Sequence, residues 1–348
     1  MKIGQYRIND NSPAFIIAEL SANHNGSIEV ALETIKAAKE AGADCVKFQT
    51  YTPDTITLDH RSEHFKITQD TIWDGKYLYD LYKEAYTPWE WHEELFEACS
   101  NEGLTYFSSP FDTSAVDFLE NLNVPAYKIA SFEITDLPLI EYAASKMKPM
   151  IISTGIADLE DIQLAINACK NVGNDEIALL KCTSNYPAPI EKSNLAMIKD
   201  FSEKFNVITG LSDHTEGFIA PVTSIALGAK IIEKHFILEK TIGGPDASFS
   251  MDKEEFKVMV NAVRAAESSL GTVDYSLTKE QLKSREFSRS LFVVEDIKIG
   301  EKFTHKNVRS IRPWHGLHPK YLNEIIGLQS KKAIKKGTPL DLSHFELD

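Results

Sequence analysis

The chain has 348 residues, of which 43% are hydrophobic and 25% charged, and its formal net charge is −14. This composition is typical of a globular protein, and the length suits one (β/α)8 barrel plus a second small module. No apolar stretch approaches the roughly 18 residues of a membrane span, and the N-terminus does not read as a signal peptide. The four cysteines lack CxxC spacing, which disfavours a disulfide framework or zinc knuckle and predicts a cytoplasmic protein.

Eight short apolar runs follow one another along the chain, with helical stretches between them. Residues 15–17 and 230–232 are examples, and their apolar character suits strands that are buried on both faces. Each run ends in polar or charged residues: Ala18-Glu19, Lys47-Phe48-Gln49, Ser108-Ser109, Lys128 to Glu133, Ser153-Thr154, Cys182-Thr183-Ser184, Ser212-Asp213-His214 and Glu233-Lys234-His235. Eight strand-then-helix units predict an α/β protein with a closed (β/α)8 TIM barrel, whose chemistry lies at the C-terminal ends of the strands.

The longest connection between runs covers residues 51–87, directly after the second strand. It contains Trp73-Asp74-Gly75 and several tyrosines. A long loop at this end of a barrel is more often a lid or a wall of the substrate site than a linker.

A change in composition marks a second module after the last barrel helix. We expect a barrel over residues 1–271, a linker over 272–288 and a small β-rich module over 289–348. Residues 281–348 hold 13 Lys and Arg against 8 Asp and Glu, or +5, so the rest of the chain carries −19. Two similar Ile-Lys-x-Gly turns predict two hairpins in the module. Its charge favours docking onto an acidic barrel, its own or a partner's, over nucleic-acid binding, since no dense basic run with aromatics is present.

Two lysines and a set of hydroxyls are candidates for binding an anion. Lys47 and Lys128 lie on predicted barrel strands, and an isolated lysine there would usually be solvated or ion-paired. The hydroxyls beside them make a site for a small phosphorylated substrate the stronger interpretation: Ser108, Ser109, Ser131, Ser153, Thr183 and Ser184. The sequence has no P-loop and no GxGxxG, which disfavours a nucleotide.

Two histidines and several carboxylates are candidates for metal binding and proton transfer. His214 and His235 end adjacent strands, and a lone histidine there is usually only hydrogen-bonded. Two of them, near Glu19, Glu133 and Glu233, favour a divalent metal such as Mn, Fe or Zn. Carboxylates at the mouth of the barrel, Asp246 among them, suit acid/base or hydroxyl-binding roles. No GxSxG elbow supports nucleophilic hydrolysis.

The order of these motifs resembles the sialic acid synthase family over nearly the whole chain. The motifs are Glu19-Leu-Ser-Ala-Asn-His-Asn-Gly, Val46-Lys-Phe-Gln-Thr, Phe107-Ser-Ser-Pro-Phe, Tyr127-Lys-Ile-Ala-Ser-Phe-Glu133, Ser153-Thr-Gly, Cys182-Thr-Ser-Asn-Tyr-Pro, Gly210-Leu-Ser-Asp-His-Thr, Ile232-Glu-Lys-His-Phe and Gly244-Pro-Asp246. The stretch from Ser290 to Pro339 is similar to that family's antifreeze-like (SAF) domain.

The resemblance implies an enzyme that condenses phosphoenolpyruvate with an open-chain N-acetylated sugar aldehyde, giving a nine-carbon 2-keto acid and phosphate. It implies three glutamates for proton transfer: Glu19, Glu133 and Glu233. Phosphoenolpyruvate would be held by Lys47, Ser108 or Ser109, Lys128, Ser131, Ser153, Thr183 and Ser184. His214 and His235 would bind the divalent metal, with Mn²⁺ first and Mg²⁺, Co²⁺ or others as alternatives.

The same resemblance implies sugar contacts from four residues of the barrel, Gln49, Asp74, Tyr186 and Asp246. It also implies a contact from Arg312 in the SAF domain of the partner chain. That last contact implies a domain-swapped homodimer. Within the family, Trp73-Asp-Gly-Lys is most similar to the branch that uses a 2,4-diacetamido-2,4,6-trideoxy hexose.

Alternatives remain open at this point. Synthases of N-acetylneuraminate or legionaminate are the first, and a non-catalytic carbohydrate-binding protein is the second. Ser184 and the 51–87 loop depart from the pattern of the sialic acid synthases themselves, which fits a different sugar and leaves the contacts of Ser184 and Asp74 in question.

Overall fold

The computed structural model describes residues 1–69 and 71–346. By its internal contacts the chain divides into two compact units, Met1–Gly271 and the part from Thr272 onward. In these described ranges no helix has both the length and the apolar character needed to cross a bilayer.

The first unit is a closed barrel of eight parallel strands, which confirms the predicted fold class. A short antiparallel hairpin, β1 (Lys2–Ile3) and β2 (Tyr6–Arg7), precedes it. The barrel strands are β3 (Phe15–Glu19), β4 (Cys45–Thr50), β5 (Thr105–Pro110), β6 (Tyr127–Ile129), β7 (Met150–Ser153), β8 (Ile177–Cys182), β9 (Ile208–Asp213) and β10 (Ile231–His235). They pair in chain order, and β10 closes the ring against β3 with His235 opposite Glu19.

Helices surround the barrel. They are α1 (Ile28–Ala41), α2 (Pro53–Ile56), α3 (Leu78–Ala85), α4 (His92–Asn101), α5 (Thr113–Asn121), α6 (Leu137–Ala144), α7 (Leu159–Asn171), α8 (Met197–Phe205), α9 (Ile219–Ala226) and α10 (Lys253–Leu270). Their ends follow local sequence signals: Ser27 accepts from the N–H of Val30 at the start of α1, and Gly42 follows it in the left-handed conformation. The 51–87 connection contains α2 and α3 and is therefore a partly helical excursion.

The inward-pointing side chains form two layers, an apolar floor and a polar upper half of the barrel. The floor contains Phe15, Ile17, Phe107 and Leu180, and Ile3 from the first hairpin packs into it. Because successive side chains point to opposite faces, the next inward position on each strand reaches the C-terminal end. The polar residues of the predicted site occupy these upper inward positions.

The second unit contains α11 (Lys279–Arg285), β11 (Ser290–Val293), β12 (Val308–Ile311) and α12 (Leu322–Ile325). Strands β11 and β12 are antiparallel, and a separate apolar cluster includes Leu291, Phe303 and Ile325. The prediction that each Ile-Lys-x-Gly turn closes its own hairpin is wrong. Ile297 of the first turn instead pairs with Ile334 of the second, so the two repeats are joined to each other.

Candidate active site

Four charged side chains meet in the upper half of the barrel, and we name them the charge cluster: Glu19, Lys47, Lys128 and Glu233. Lys47 Nζ lies 2.8 Å from Glu19 Oε2 and 3.8 Å from Glu233 Oε1. Lys128 Nζ lies 3.6 Å from the same oxygen of Glu233. Each of these side chains is at most 6% exposed. Buried charges need partners, and here each cation shares the Glu233 carboxylate.

Burial and neighbouring charges push the pKa values of the two carboxyl groups apart. Burial raises the pKa of Glu19 to about 7, because the attraction of Lys47 offsets only part of the lost solvation. Burial acts in the same direction on Glu233, but the two nearby lysines outweigh it and lower the pKa. Burial also lowers the pKa of Lys128. Near neutral pH, Glu233 is thus the ionised carboxylate and Glu19 is close to its midpoint.

A serine hydroxyl stands beside each lysine. Lys47 Nζ donates to Ser109 Oγ at 3.3 Å, and Lys128 Nζ donates to Ser153 Oγ at 2.7 Å. Both serines are buried. Paired ammonium and hydroxyl donors on neighbouring strands are the chemistry that a phosphate or carboxylate group requires.

A glycine makes room for two further hydroxyls. The N–H of Gly155 donates to Ser131 Oγ at 3.1 Å. A Cβ at position 155 would lie 2.0 Å from Ser184 Oγ and 2.7 Å from Ser131 Oγ. Only glycine leaves both hydroxyls in place, and its N–H orients the hydroxyl of Ser131.

Ser108 does not lie in this pocket, although the sequence offered it as an alternative to Ser109. Its Oγ is 2.6 Å from Thr50 Oγ1, which in turn is 2.8 Å from His92 Nε2 on α4. All three residues are buried between the barrel and its helices. Strand alternation turns Ser108 outward and Ser109 inward, so the first is structural.

Thr183 also differs from its predicted role. Its hydroxyl donates to the carbonyl of Lys192 at 3.4 Å and accepts from Lys181 at 3.3 Å. The backbone carbonyl of Thr183 faces the site instead, where it lies 3.0 Å from His214 Nδ1. The side chain of Thr183 therefore belongs to the outer face, while its carbonyl orients an imidazole.

The two predicted metal ligands are neighbours at the ends of β9 and β10. The ring centroids of His214 and His235 lie 5.3 Å apart. A carbonyl only accepts, so the contact with Thr183 places a proton on Nδ1 of His214 and leaves its Nε2 as a ligand. Burial keeps the pKa of His235 well below its usual range, so this ring is neutral.

The donor set fits a metal that keeps open positions. His235 Nδ1 is buried, lies 3.7 Å from Asp246 Oδ2 and makes no hydrogen bond within residues 1–69 and 71–346. In those ranges no group of three or more His, Cys, Asp or Glu is arranged as a cage. A metal here would take two imidazoles from the protein and its other ligands from water or substrate.

Gln49 and Asp246 border the charge cluster on the side of the first barrel strand. Gln49 Nε2 donates to Glu19 Oε1 at 3.0 Å and to Ser21 Oγ at 2.8 Å. The N–H of Ala22 donates to Asp246 Oδ2 at 3.4 Å, and burial raises the pKa of that carboxyl. Both predicted sugar-binding residues thus lie next to residues of the reactive centre.

Glu133 follows β6 in a short 3-10 turn, Ser131–Glu133. Its Oε2 is buried and has no hydrogen-bond partner in the described part of the chain. Burial raises the pKa of Glu133 to about 7, and the attraction of Lys128 offsets part of this rise. A carboxyl group with this pKa and a free oxygen is suited to proton transfer.

Three aromatic residues, which we name the aromatic wall, cover the imidazoles: Trp73, Tyr186 and Phe249. The ring of Tyr186 lies 4.3 Å from that of His214 and 5.2 Å from that of Phe249, between centroids. Trp73 reaches this group from the 51–87 loop, 5.5 Å from Tyr186. The prediction that this loop forms part of the substrate site is consistent with this placement.

Asp74 is the residue that we selected in this loop for sugar binding. Unlike Trp73, it does not belong to the aromatic wall. It is exposed, and its Oδ1 accepts from the N–H and hydroxyl of Thr71 at 2.8 and 2.9 Å. The structure thus uses Asp74 to shape the turn that presents Trp73. Arg312 lies in the second unit, where its side chain is exposed.

Several residues of the site were not selected from the sequence. Ser212 donates to Glu233 Oε1 at 2.9 Å, and Cys182 Sγ lies 3.8 Å from His214 Nδ1. Ser212 and Cys182 both stand in the polar ends of the apolar runs, as do the residues that were selected. Counting inward positions by twos along each strand would have found both and would have rejected Ser108.

Comparison with known proteins shows the family of the chain. The model of the NeuB family matches residues 34–275, and that of the SAF domain matches residues 288–346. A pseudaminic acid synthase of Campylobacter jejuni is 50% identical over 99% of this chain and 100% of its own length. One from Helicobacter pylori is 49% identical over 96% and 98% of the two chains.

A solved structure shows a similar overall fold. The spore coat polysaccharide biosynthesis protein SpsE of Bacillus subtilis superposes with a TM-score of 0.68 at 32% identity, covering 100% of this chain and 99% of its own. These matches confirm the resemblance to the sialic acid synthases: the chain belongs to the NeuB family and carries a SAF domain at its C-terminal end.

Proposed function

We propose that this chain condenses phosphoenolpyruvate with 2,4-diacetamido-2,4,6-trideoxy-β-L-altropyranose to give pseudaminic acid and phosphate. The observation that carries the proposal is the buried charge cluster with its serine donors, which lies beside the two neighbouring imidazoles of His214 and His235. The full-length similarity to pseudaminic acid synthases supports the choice of sugar.

Phosphoenolpyruvate would bind across the two lysines. Lys47 and Lys128 both approach Oε1 of Glu233, and their ammonium groups would neutralise the phosphate and carboxylate of the substrate. Ser109, Ser153 and the pocket of Ser131, Gly155 and Ser184 supply directional donors. Because these groups are buried, their hydrogen bonds with a charged ligand are stronger than they would be in water.

A metal would be held by His214 and His235, next to Asp246. Sialic acid synthases generally depend on a metal ion, and Mn²⁺ is our first choice, with Mg²⁺ and Co²⁺ as alternatives. When bound, a divalent ion supplies Lewis-acid polarisation of the sugar aldehyde. The protein's own contribution is to hold the imidazoles: the Thr183 carbonyl fixes one ring, and the aromatic wall covers both.

In the reaction, carbon 3 of phosphoenolpyruvate attacks the sugar aldehyde, water adds at carbon 2, and phosphate leaves with cleavage of the C–O bond. Glu19 and Glu133, whose pKa values are both about 7, are suited to give or take protons near neutral pH. Glu233 remains ionised between the lysines and is suited to stabilise developing positive charge. When the protein environment pushes the pKa values of two neighbouring carboxyl groups apart, one group commonly transfers protons while the other stays ionised.

The sugar would lie between Gln49, Asp246 and Tyr186, with Asp74 as an outer candidate. We further propose a domain-swapped homodimer in which Arg312 of one chain reaches the N-acetyl group bound in the barrel of the other. The opposite net charges of the two parts of the chain, −19 over residues 1–280 and +5 over residues 281–348, favour such docking.

Phosphate release with a panel of sugars tests this function. The protein would be incubated with phosphoenolpyruvate, Mn²⁺ and, in turn, the 2,4-diacetamido-2,4,6-trideoxy altrose, N-acetylmannosamine and the precursor of legionaminic acid. We expect the first sugar to release phosphate fastest, with a nine-carbon keto acid identified by mass spectrometry. Faster release with either other sugar would reassign the substrate, and no release with any sugar would favour a non-catalytic carbohydrate-binding role.

A further inference from the structure

The aromatic wall lies beside the two imidazoles that we propose for the metal. Its rings follow one another outward from the imidazoles: His214 to Tyr186 is 4.3 Å, and Tyr186 to Trp73 is 5.5 Å. Phe249 closes the group, 4.9 Å from His235 and 6.4 Å from Trp73. A sugar whose aldehyde lies at the imidazoles and whose carbon chain extends along these rings would present its distal carbons to Trp73.

Trp73 is held in this position by a contact of its own. Its Nε1 donates to the carbonyl of Pro245 at 3.1 Å, which ties the 51–87 loop to the segment that carries Asp246. With its only donor engaged, the indole presents apolar surface to the site. Trp73 remains partly exposed, whereas Phe249 is buried. The surface is thus preformed and open to a ligand.

We propose that Trp73, with Phe249 behind it, forms an apolar wall that receives the 6-methyl end of the sugar and makes the enzyme prefer 6-deoxy substrates. This inference rests on the function proposed above. A methyl group gains by leaving water against the rings, whereas a 6-hydroxyl would lose a hydrogen bond to water without finding a partner. Trp73 acts as a specificity determinant, distinct from the residues that hold phosphoenolpyruvate.

The test compares two sugars that differ only at carbon 6, the 2,4-diacetamido-2,4,6-trideoxy substrate and its 6-hydroxy counterpart. For the wild type we expect kcat/KM to favour the 6-deoxy sugar about tenfold or more, since an apolar pocket discriminates against an added hydroxyl by up to about a hundredfold. In Trp73→Ala the preference should fall to about twofold or less, through slower reaction of the 6-deoxy sugar. The KM for phosphoenolpyruvate should not change.

Two conservative variants separate the wall from the hydrogen bond. Trp73→Phe removes the bond to Pro245 but keeps an aromatic ring, so it should retain most of the preference. Trp89→Phe is the matched control, because Trp89 also donates from Nε1 to a backbone carbonyl, that of Tyr51 at 3.1 Å, but stacks on Phe118. It should leave the preference unchanged.

Three results would overturn the inference. The first is a wild type active on both sugars without a preference, which decides the matter even where a variant fails to fold. The second is a Trp73→Ala enzyme that keeps the wild-type preference. The third is a Trp73→Phe enzyme that loses the preference although it keeps an aromatic ring, since this would assign the effect to the bond with Pro245 and not to the apolar wall. Failure of the wild type to release phosphate with any sugar would instead refute the proposed function itself.

Discussion

At the scale of single residues, the site depends on ionisable groups held away from water. The charge cluster contains two lysines and two glutamates, all nearly inaccessible. Such a cluster stabilises the fold less than apolar residues of the same size would. Its value lies in function, because the same burial that costs stability sets the pKa values of Glu19 and Glu133 near neutrality.

Glu133 should make stability depend on pH. Its pKa is about 7 in the folded protein against an ordinary 4.5. The stabilising contribution of a raised carboxyl is therefore complete below about pH 4.5 and lost as pH rises through about 7. Relative to Glu133→Gln, the wild type should lose about 2–3 kcal/mol of unfolding free energy between pH 5 and pH 8.

Urea unfolding of both proteins across this range measures the difference. Glu141→Gln, at an exposed position on α6, is the control and should follow the wild type. Parallel pH profiles for the wild type and Glu133→Gln would show that Glu133 ionises normally.

His235 should be needed for metal binding. Replacement by alanine removes one of two imidazoles, and two protein ligands leave little affinity to spare. We expect His235→Ala to retain less than about a tenth of the bound metal after dialysis and to lose activity in parallel. The metal content measured by mass spectrometry is the readout, and His305→Ala, at an exposed position in the second unit, is the control. Unchanged metal content in His235→Ala would remove this residue from the ligand set.

At the scale of elements, strand alternation decides which of two adjacent serines acts in the site. Ser109 faces Lys47 within the barrel, and Ser108 faces Thr50 beneath α4. The same rule separates Thr183 from the hydroxyl pocket. A strand register that moved by one residue would exchange the two sets entirely.

Replacing each serine by alanine should therefore affect a different property: substrate binding for Ser109 and stability for Ser108. Ser109→Ala should raise the KM for phosphoenolpyruvate about tenfold with little change in stability, because it removes a donor to the ligand. Ser108→Ala should lower the free energy of unfolding by about 1–3 kcal/mol with an unchanged KM, because it breaks a buried hydrogen-bond network. Steady-state kinetics and urea unfolding of both variants are the measurements. The reverse assignment of effects would mean that β5 has a different register in solution.

At the scale of the whole molecule, the proposed dimer places one residue of each active site in the other chain. Arg312→Ala and Lys128→Met should each be inactive as homodimers. A purified heterodimer of the two should recover about half of the wild-type activity, since one of its two sites then has an intact barrel and an intact arginine. Tandem purification through two different tags isolates the heterodimer. An inactive heterodimer, or an active Arg312→Ala homodimer, would place Arg312 outside the partner's site.

The pattern of apolar runs predicted the barrel because each strand must be buried on both faces and each is followed by a helix. The chemistry at the strand ends was visible for the same reason, so Lys47, Lys128, His214 and His235 were found in the sequence. Ser108 and Thr183 were selected as hydroxyls at strand ends and Asp74 through the family resemblance, and the structure gives all three supporting contacts elsewhere.

The sequence by itself determined the kind of protein: the barrel, the attached second module and the residue types that gather at one end. Only the tertiary structure decided which side of each strand faces the site, that Gly155 opens space for two hydroxyls, and that Trp73 reaches Tyr186. The physical reason is range. Strand and helix formation depend on local periodicity, whereas burial, pKa and close contact depend on residues far apart in the chain, which only ring closure brings together.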